Sequence, residues 1–359
     1  MHENKYGSTV IANTNDISKK AEYEDRYRLM QLLKANSIYA NTDVDHIISN
    51  IFDHFYLSIC FHPYQIAMDG KMVIEKLLED GKYESQYVTR ISSGGVSAFP
   101  GGERDVWENR LFMGGYNLPG VKSEDRPKYG ALNLMNFVDG AAPRFGSCNL
   151  VLKRGVSDFC TFSFGDSSTN PKYLGTRSHF HHILHDILSE TIRLKHFLDF
   201  LACDMVAALD TLINGSEERA PKNGRELCRT VETHIHGTIS LADDVDCVYI
   251  DSSYKGTIYE KYFSQLSSLY HTSIKWIPER RVYVEDFDDN FRGSIMKTIA
   301  RKVLQEVSAN DDYINAHLIG LGLKSVAASP EKWSDIGNRS EMLQYMKQLW
   351  HIAANYGCN

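Results

Sequence analysis

The sequence predicts an α+β protein in which a β-rich core lies between two helical regions. Residues 21–80 carry apolar side chains at a period near 3.6, which is typical of amphipathic helices. Between residues 85 and 285, short aromatic and apolar runs alternate with turn residues, and helical periodicity then returns. We therefore divide the chain into a helical N-terminal extension (1–80), a core (81–290) and a helical C-terminal region packed on the core (291–359).

The N-terminal extension is predicted to be mostly helical. Residues 1–20 are polar and are expected to fray. Asp43 precedes an apolar run as an N-cap residue would, and Pro63 ends that run, because the residue before proline avoids the helical region. Gly81 is predicted to close the last helix as a left-handed C-cap. The predicted helices are 22–40, 44–61 and 65–80.

The core and the C-terminal region show both the alternation that is typical of strands and the 3.6-residue period that is typical of helices. Short runs with turn residues at their ends predict strands at 87–91, 129–135, 147–153, 159–164, 230–241, 246–250, 273–276 and 281–284. Longer runs with a broad apolar face predict helices at 105–112, 180–213, 259–270, 291–307 and 339–356. We find no internal repeat and no linker in the sequence.

Composition and charge exclude some functional classes. The net charge of −7 and the pI of about 6.1 give no electrostatic reason to expect nucleic-acid binding. No apolar run reaches the ~20 residues that a membrane-spanning helix needs, and the N-terminus shows no apolar region of a secretory signal. We therefore expect a cytoplasmic type of fold with no membrane partner, and secretion or translocation into a host cell by another route stays open. The seven scattered cysteines contain no C-x-x-C pair and favour free thiols.

Glycine pairs concentrate between residues 83 and 169 and predict a ligand-binding region. Glycine costs backbone entropy and is used where a backbone must approach something closely. Ser92 and Gly94 follow the predicted strand that carries Thr89 and Arg90, so backbone N–H groups and a guanidinium could bind a pyrophosphate. A plain turn is the alternative, and no Walker sequence follows.

Two further positions in this region have binding and structural interpretations. The Tyr129 ring beside Gly130 could stack on a flat ligand ring, or it could be a core tyrosine at a strand start. Asp166 lies in an acidic turn and could hold a ribose hydroxyl or a cation, or it could cap the local turn.

Glu232 is the strongest catalytic candidate. Alternation places Glu232, His234 and His236 on one face of a strand, with Val231 and Ile235 on the other. Three titratable groups on a core strand require partners, water or a ligand, since burying them unpaired is costly. An edge strand with a solvated polar face is the alternative.

Metal and cysteine chemistry are not indicated. His181 and His185 have the i,i+4 spacing of zinc ligands, but no glutamate follows His181 as a metalloprotease base would. A polar helix face explains them, so we predict no metal site. The cysteines lack a pattern that marks a nucleophile.

A set of short motifs over residues 60–300 resembles a bacterial family first described as a domain of unknown function. That family is similar to the ADP-ribosyltransferase superfamily, some of whose bacterial members are toxins or secreted effectors. The motifs are Phe61-His62-Pro63, Ser85-Gln86-Tyr87, Ser92-x-Gly94-Gly95, Phe99-Pro100-Gly101-Gly102-x-Arg104-Asp105-x-Trp107-Glu108, Leu111-Phe112, Arg126-Pro127-Lys128-Tyr129-Gly130-Ala131-Leu132, Pro143-Arg144-Phe145-Gly146-Ser147-Cys148, Thr161-Phe162, Gly165-Asp166-Ser167 and Glu232…His236-Gly237…Leu241…Asp244-Val245.

The resemblance implies a split, mixed or antiparallel sheet with NAD in its cleft and particular roles for the candidates. Thr89, Arg90 and Ser92 would belong to the first core strand and its end, and together with Gly94 they would bind NAD. Tyr129 and Gly130 would lie beside the nicotinamide, Asp166 would complete the NAD site, and Glu232 would be the catalytic carboxylate. His236, with His234, would orient Glu232 or the acceptor. Cleavage of the nicotinamide–ribose bond builds positive charge on the ribose, which a carboxylate stabilises.

The expected function is therefore that of an NAD-dependent glycosyltransferase. It would transfer a single ADP-ribose unit to a protein target, such as a host enzyme, as bacterial effectors and toxins do. The first strand lacks a His-Gly-Thr motif, and Thr230 lies two residues before Glu232, so arginine specificity is not indicated. The alternatives are an NAD glycohydrolase toxin and a catalytically inactive binding module with the same fold.

Overall fold

The computed structural model describes residues 4–35, 38–91, 97–171, 173–200, 203–225, 227, 229–308 and 310–357. Its helices are α1 (Lys5–Lys34), α2 (Val44–His54), α3 (Val73–Asp80), α4 (Gln86–Thr89), α5 (Glu103–Leu111), α6 (His181–Leu194), α7 (Met205–Asn214), α8 (Ile258–Tyr270), α9 (Ile295–Val307), α10 (Ala316–Ala328) and α11 (Arg339–Tyr356). Its strands are β1 (Leu57–Phe61), β2 (Lys82–Tyr83), β3 (Lys128–Leu132), β4 (Cys148–Leu152), β5 (Cys160–Phe164), β6 (Val231–Ile235), β7 (Ile239–Ser240), β8 (Val245–Asp251), β9 (Ser273–Ile277), β10 (Val282–Tyr283) and β11 (Tyr313–Ile314).

The fold is α+β, as the sequence predicts. A mixed sheet of seven strands has the order β5-β6-β3-β1-β4-β8-β9, and only its β8–β9 pair is parallel. Two short antiparallel pairs, β2–β7 and β10–β11, lie outside this sheet. One buried apolar cluster draws side chains from all three predicted regions of the chain. No helix within the described residues is long and apolar enough to cross a membrane.

The main sheet has one apolar face and one polar face. Side chains alternate between the faces of a strand, so Val231 and Ile235 of β6 join the apolar cluster, together with Leu57 and Ile59 of β1. On the other face, the antiparallel registers place Glu232 next to small or polar side chains of β3 and β5, namely Ala131 and Ser163. The polar face is therefore the one that offers groups for chemistry.

The chain start is ordered, which corrects the expectation that residues 1–20 fray. Helix α1 is 30 residues long, and its buried positions include Gly7, Val10, Thr14 and Ser18, spaced by three or four residues. A Cβ added at Gly7 would lie 2.6 Å from the Cβ of His236. The small residues thus let α1 pack closely on the sheet, and this tertiary contact is not visible as an apolar period.

The predicted helix 44–61 is wrong beyond residue 54. Helix α2 ends at His54, and Leu57–Phe61 forms β1 between β3 and β4 near the centre of the sheet. After Phe55 the apolar positions 57, 59 and 61 alternate, which is the period of a strand. Because a short apolar run fits the period of a helix as well as that of a strand, pairing with neighbouring strands decides which of the two forms.

The predicted strand 87–91 is also wrong, because these residues form most of α4. The Ser85 hydroxyl accepts a hydrogen bond from the Val88 amide at 3.4 Å, and Arg90 closes the turn in the left-handed conformation with φ 60°. A serine cap and a left-handed C-cap favour one helical turn over a strand.

Other predicted elements either agree with the structure or differ from it at their boundaries. The helix predicted at 65–80 is shorter, since α3 begins at Val73, but Gly81 does end it in the left-handed conformation. The helix predicted at 180–213 is split into α6 and α7, with Lys195 in the left-handed region at the end of α6. Helix α10 was not predicted. The strands predicted at 129–135, 147–153 and 159–164 and the helices at 105–112, 259–270 and 339–356 are confirmed within a few residues.

Candidate functional site

A cavity of about 230 Å³ lies at the polar face of the sheet. Small side chains of β1 and β3, including Ser58 and Ala131, line it together with Glu232 of β6. Helices α4, α5 and α11 and the turns at 143–145 and 166–168 form other parts of its wall. The cavity therefore brings together segments from distant parts of the chain around Glu232.

Glu232 is held in a defined position in this cavity. Its Oε1 accepts a hydrogen bond from the backbone N–H of Ser167 at 3.3 Å and lies 3.0 Å from Nε2 of His234. The side chain is 12% exposed. Among the described residues, no donor lies within hydrogen-bond distance of Oε2, so one oxygen is fixed by the protein and the other can contact a ligand.

A buried chain of hydrogen bonds extends from Glu232 away from the cavity. An ionised Glu232 can only accept, so His234 donates from Nε2 and accepts at Nδ1 from the Thr161 hydroxyl at 3.1 Å. Thr161 Oγ1 in turn accepts from Nε2 of His236 at 2.9 Å, and His236 Nδ1 accepts from the Tyr116 hydroxyl at 2.7 Å. Every donor in the chain points toward the carboxylate, which polarises the chain in one direction.

His236 belongs to this chain and does not line the cavity. It is 1% exposed, and burial, with the neighbouring His234 and Lys128, lowers its pKa well below the usual range. The ring is therefore neutral at neutral pH and reaches Glu232 only through Thr161 and His234. The geometry indicates that His236 helps to position Glu232 and does not contact a substrate.

Tyr129 and Gly130 lie at the cavity, but Gly130 has a structural reason to be glycine. A Cβ at Gly130 would lie 2.6 Å from the carbonyl oxygen of Ser58, so a side chain there would push β1 and β3 apart. The Tyr129 hydroxyl donates to Glu108 Oε1 at 2.6 Å. Burial and the charge of Glu108 raise the Tyr129 pKa, so this hydroxyl stays protonated and keeps the ring edge-on to His234.

Arg104 of α5 is a cavity residue that lies in one of the motifs of the resemblance but had no predicted role there. Its guanidinium carbon lies 4.4 Å from the ring centroid of Trp107 and 4.8 Å from that of Tyr129. Its Nε and Nη1 are buried and, within the part of the chain that the structure describes, have no hydrogen-bond partner. The nearest carboxylate oxygen, from Glu108, is 3.9 Å away. A ligand acceptor in the cavity would satisfy these donors.

A buried ion network fixes the α5 wall. Arg126 donates to Asp105 at 2.6 Å and to Glu108 at 3.2 Å. Burial raises the pKa of Glu108, and the Tyr129 hydroxyl and the guanidinium groups of Arg104 and Arg126 only partly offset this effect. Since Glu108 holds both Tyr129 and Arg126, it couples strand β3 to α5 and sets the position of the aromatic wall.

Asp166 lies at the cavity, where it both caps a turn and forms an ion pair. Its Oδ1 accepts from the amide and hydroxyl of Ser168, and its Oδ2 lies 2.7 Å from Nη2 of Arg144. Burial raises the Asp166 pKa, but the Ser168 hydrogen bonds and the Arg144 charge outweigh it and hold the pKa below its usual range. The turn-cap interpretation is confirmed, and its carboxylate is already occupied by Arg144.

The predicted first strand of the site is not present, and its residues are placed differently. Thr89 lines the cavity from the end of α4, with its hydroxyl 3.3 Å from the Ser85 carbonyl oxygen. Arg90 is outside the cavity lining and donates to the Ala98 carbonyl oxygen. Ser92 and Gly94 lie outside the described residues.

His181 and His185 of α6 each lie beside a carboxylate. His181 Nε2 lies 3.0 Å from Asp45, and His185 Nδ1 lies 3.3 Å from Asp186. Across the described ranges, no three His, Cys, Asp or Glu side chains lie close enough together to hold a metal ion.

Sequence reasoning missed the cationic part of the wall. Besides Arg104, it includes Arg144 and Lys347, and beside them lies the imidazole of His351, whose pKa burial lowers to about 3. The first lies in a motif that carried the resemblance, and the last two lie on a helix that reads as a peripheral extension. No local pattern distinguishes such residues from surface cations, because their neighbours come from distant segments.

Comparison with known proteins gives one family. Residues 56–356 match the family described as "Protein of unknown function (DUF3626)". The matched segment contains the seven strands of the main sheet and all the cavity-lining residues. No curated protein matches the chain in sequence.

Proposed function

Because this chain belongs to the DUF3626 family, whose function is unknown, we propose its activity from its own residues: an NAD-dependent mono-ADP-ribosyltransferase that modifies a protein. The proposal includes an ADP-ribosyltransferase-like arrangement of the sheet. The observation that carries it is the fixed Glu232 carboxylate in a cavity whose wall is cationic and aromatic. Such a cavity suits a ligand with flat rings and negative charge.

The reaction requires a carboxylate beside the ribose. The bond from the nicotinamide nitrogen to C1′ of the ribose breaks, and nicotinamide leaves with the bonding electrons. A nucleophile on the protein target forms the new bond to C1′ and loses its proton. Positive charge develops on the ribose between these events, as in glycoside cleavage. Glu232 would stabilise that charge and accept a hydrogen bond from a ribose hydroxyl at Oε2, which the protein leaves open.

The remaining wall supports the same ligand class. Trp107 and Tyr129 present aromatic surface, and Arg104 between them offers buried N–H donors without a partner among the described residues. Donors and a carboxylate that are already fixed lose little orientational freedom when the transition state forms, which makes them more effective than flexible groups.

The test replaces Glu232 with glutamine, which has the same size but carries no charge. We expect Glu232→Gln to lower transfer of label from [³²P]NAD to proteins of a host-cell lysate by about 100-fold or more, since it removes the charge that faces the ribose. Glu306→Gln, an exposed carboxylate of α9 paired with Lys332, is the control. Full labelling by the Glu232 variant would show that this carboxylate is not catalytic.

The same assay separates the alternatives. Release of free ADP-ribose by the wild-type protein without labelled protein would identify a glycohydrolase, in which water takes the place of the acceptor. Absence of NAD binding by calorimetry, together with recovery of a partner protein, would identify a binding module.

A further inference from the structure

One part of the cavity is built from cationic and imidazole side chains of distant segments. Arg144 belongs to the short turn Pro143–Phe145, and Lys347 and His351 belong to α11. Residues four apart lie on the same face of a helix, so Lys347 and His351 reach the cavity together. Trp350 fixes α11 to the turn, since its indole N–H donates to the Pro143 carbonyl oxygen at 2.8 Å.

Positive charge in this part exceeds the negative charge that faces it. Asp166 is the nearest carboxylate, and it is bound to Arg144. Lys347 makes no ion pair with a carboxylate in the described ranges of the chain. Burial lowers the Lys347 pKa, and the charges of Arg144 and Arg292 lower it further against the opposing effect of Asp166. Like charges held close together are unfavourable, and an anion beside Lys347 would relieve this cost.

His351 provides an independent observation. It is 6% exposed, yet neither of its ring nitrogens has a hydrogen-bond partner within the described part of the chain. A buried polar group without a partner is costly. Because the ring lines the cavity, a ligand oxygen that accepts from its N–H would remove that cost.

We propose that Arg144, Lys347 and His351 form a subsite for the diphosphate group of a nucleotide. A diphosphate carries several acceptor oxygens and more than one negative charge, which matches a guanidinium, an ammonium and an imidazole N–H. The identification of this group as the diphosphate of NAD rests on the proposed function. The binding of a diphosphate by these three side chains does not.

The test measures binding to the full chain without any reaction. Sodium pyrophosphate and ADP-ribose are titrated by calorimetry at low salt. We expect Lys347→Met to weaken the binding of both by about 10-fold, because it removes one charge-assisted hydrogen bond while keeping the apolar stem. Lys347→Arg should retain most of the affinity. Arg339→Met is the matched control, since it removes one charge from an exposed position of the same helix.

Each outcome decides the proposal. Equal weakening by the Lys347 and Arg339 changes would show a general effect of net charge and would overturn the subsite, as would failure of both ligands to bind. Lys347-dependent binding of pyrophosphate without binding of ADP-ribose would support the subsite and count against the proposed function. Thermal unfolding of each variant verifies that the fold is retained.

Discussion

At the scale of single residues, the buried hydrogen-bond chain behind Glu232 explains why two histidines and a threonine stand in core strands. Each hydrogen bond of the chain satisfies a buried polar atom, so burying His234, Thr161 and His236 costs little free energy as long as all the bonds are made. Removing one link leaves the others unsatisfied. The polar face of β6, which could have been a solvated edge, is in fact a fully buried network with one carboxylate at the cavity.

We expect Thr161→Val to lower the free energy of unfolding by about 1–3 kcal/mol, because both histidines lose the partner between them. Urea denaturation measures the change. Thr211→Val is the control, since the exposed Thr211 hydroxyl bonds only to a carbonyl oxygen of its own helix. Equal stabilities of the two variants would contradict the importance of the chain.

A pH effect is expected at Asp251, which is fully buried at the end of β8. Burial raises its pKa to about 6, although the amides of Ser253 and Arg280 donate to it and partly oppose the shift. In the unfolded chain the pKa is about 3.9. Between these values the folded state holds a proton that the unfolded state has released, so stability falls as pH rises through this window.

The measurement is urea denaturation of the wild type and of Asp251→Asn between pH 4 and 7. We expect the stability of the wild type to decline relative to this variant across the window, since asparagine does not titrate. Asp246→Asn, an exposed change on the same strand, is the control. A constant difference between wild type and Asp251→Asn would show that Asp251 does not titrate in this range.

At the scale of elements, the close approach of α1 to His236, the residue that follows β6, depends on small residues. Gly7→Val would place side-chain atoms within contact distance of the His236 Cβ and the Tyr116 hydroxyl. We expect the first turns of α1 to detach more often, with a loss of about 1–3 kcal/mol in their protection from hydrogen exchange. Thr9→Val, an exposed change in the same turns, should leave exchange unchanged. Unchanged exchange in the Gly7 variant would show that α1 packs elsewhere.

The same scale shows which elements the sequence could predict. Strands β3, β4 and β5 carry turn residues at both ends and were predicted, since their pattern is local. Strand β1 could not be separated from α2 by sequence, because the apolar period of this run changes only at Phe55. The strands that pair with β1, namely β3 and β4, lie far along the chain. The prediction of a strand at 87–91 was wrong for the opposite reason, because the signal for a helical turn, the N-cap at Ser85, is local.

At the scale of the whole molecule, the sequence could predict the catalytic candidate but not the cavity around it. Alternation along β6 marks Glu232 and the two histidines as one group. The partners that define their chemistry lie on other segments: Thr161 on β5, Ser167 in a turn and Arg104 on α5. Such neighbours depend on the order of the strands, which a single sequence does not contain.

Helix α11 forms one side of the cavity, so the binding site is complete only while this helix is packed on the rest of the protein. If α11 detached, Glu232 would stay on β6, but the cavity would lose the side that Lys347 and His351 provide. Any ligand that bridges α11 to the rest of the cavity will then stabilise the packed form over the detached form. Resistance to proteolysis near α11 would therefore increase with ligand concentration.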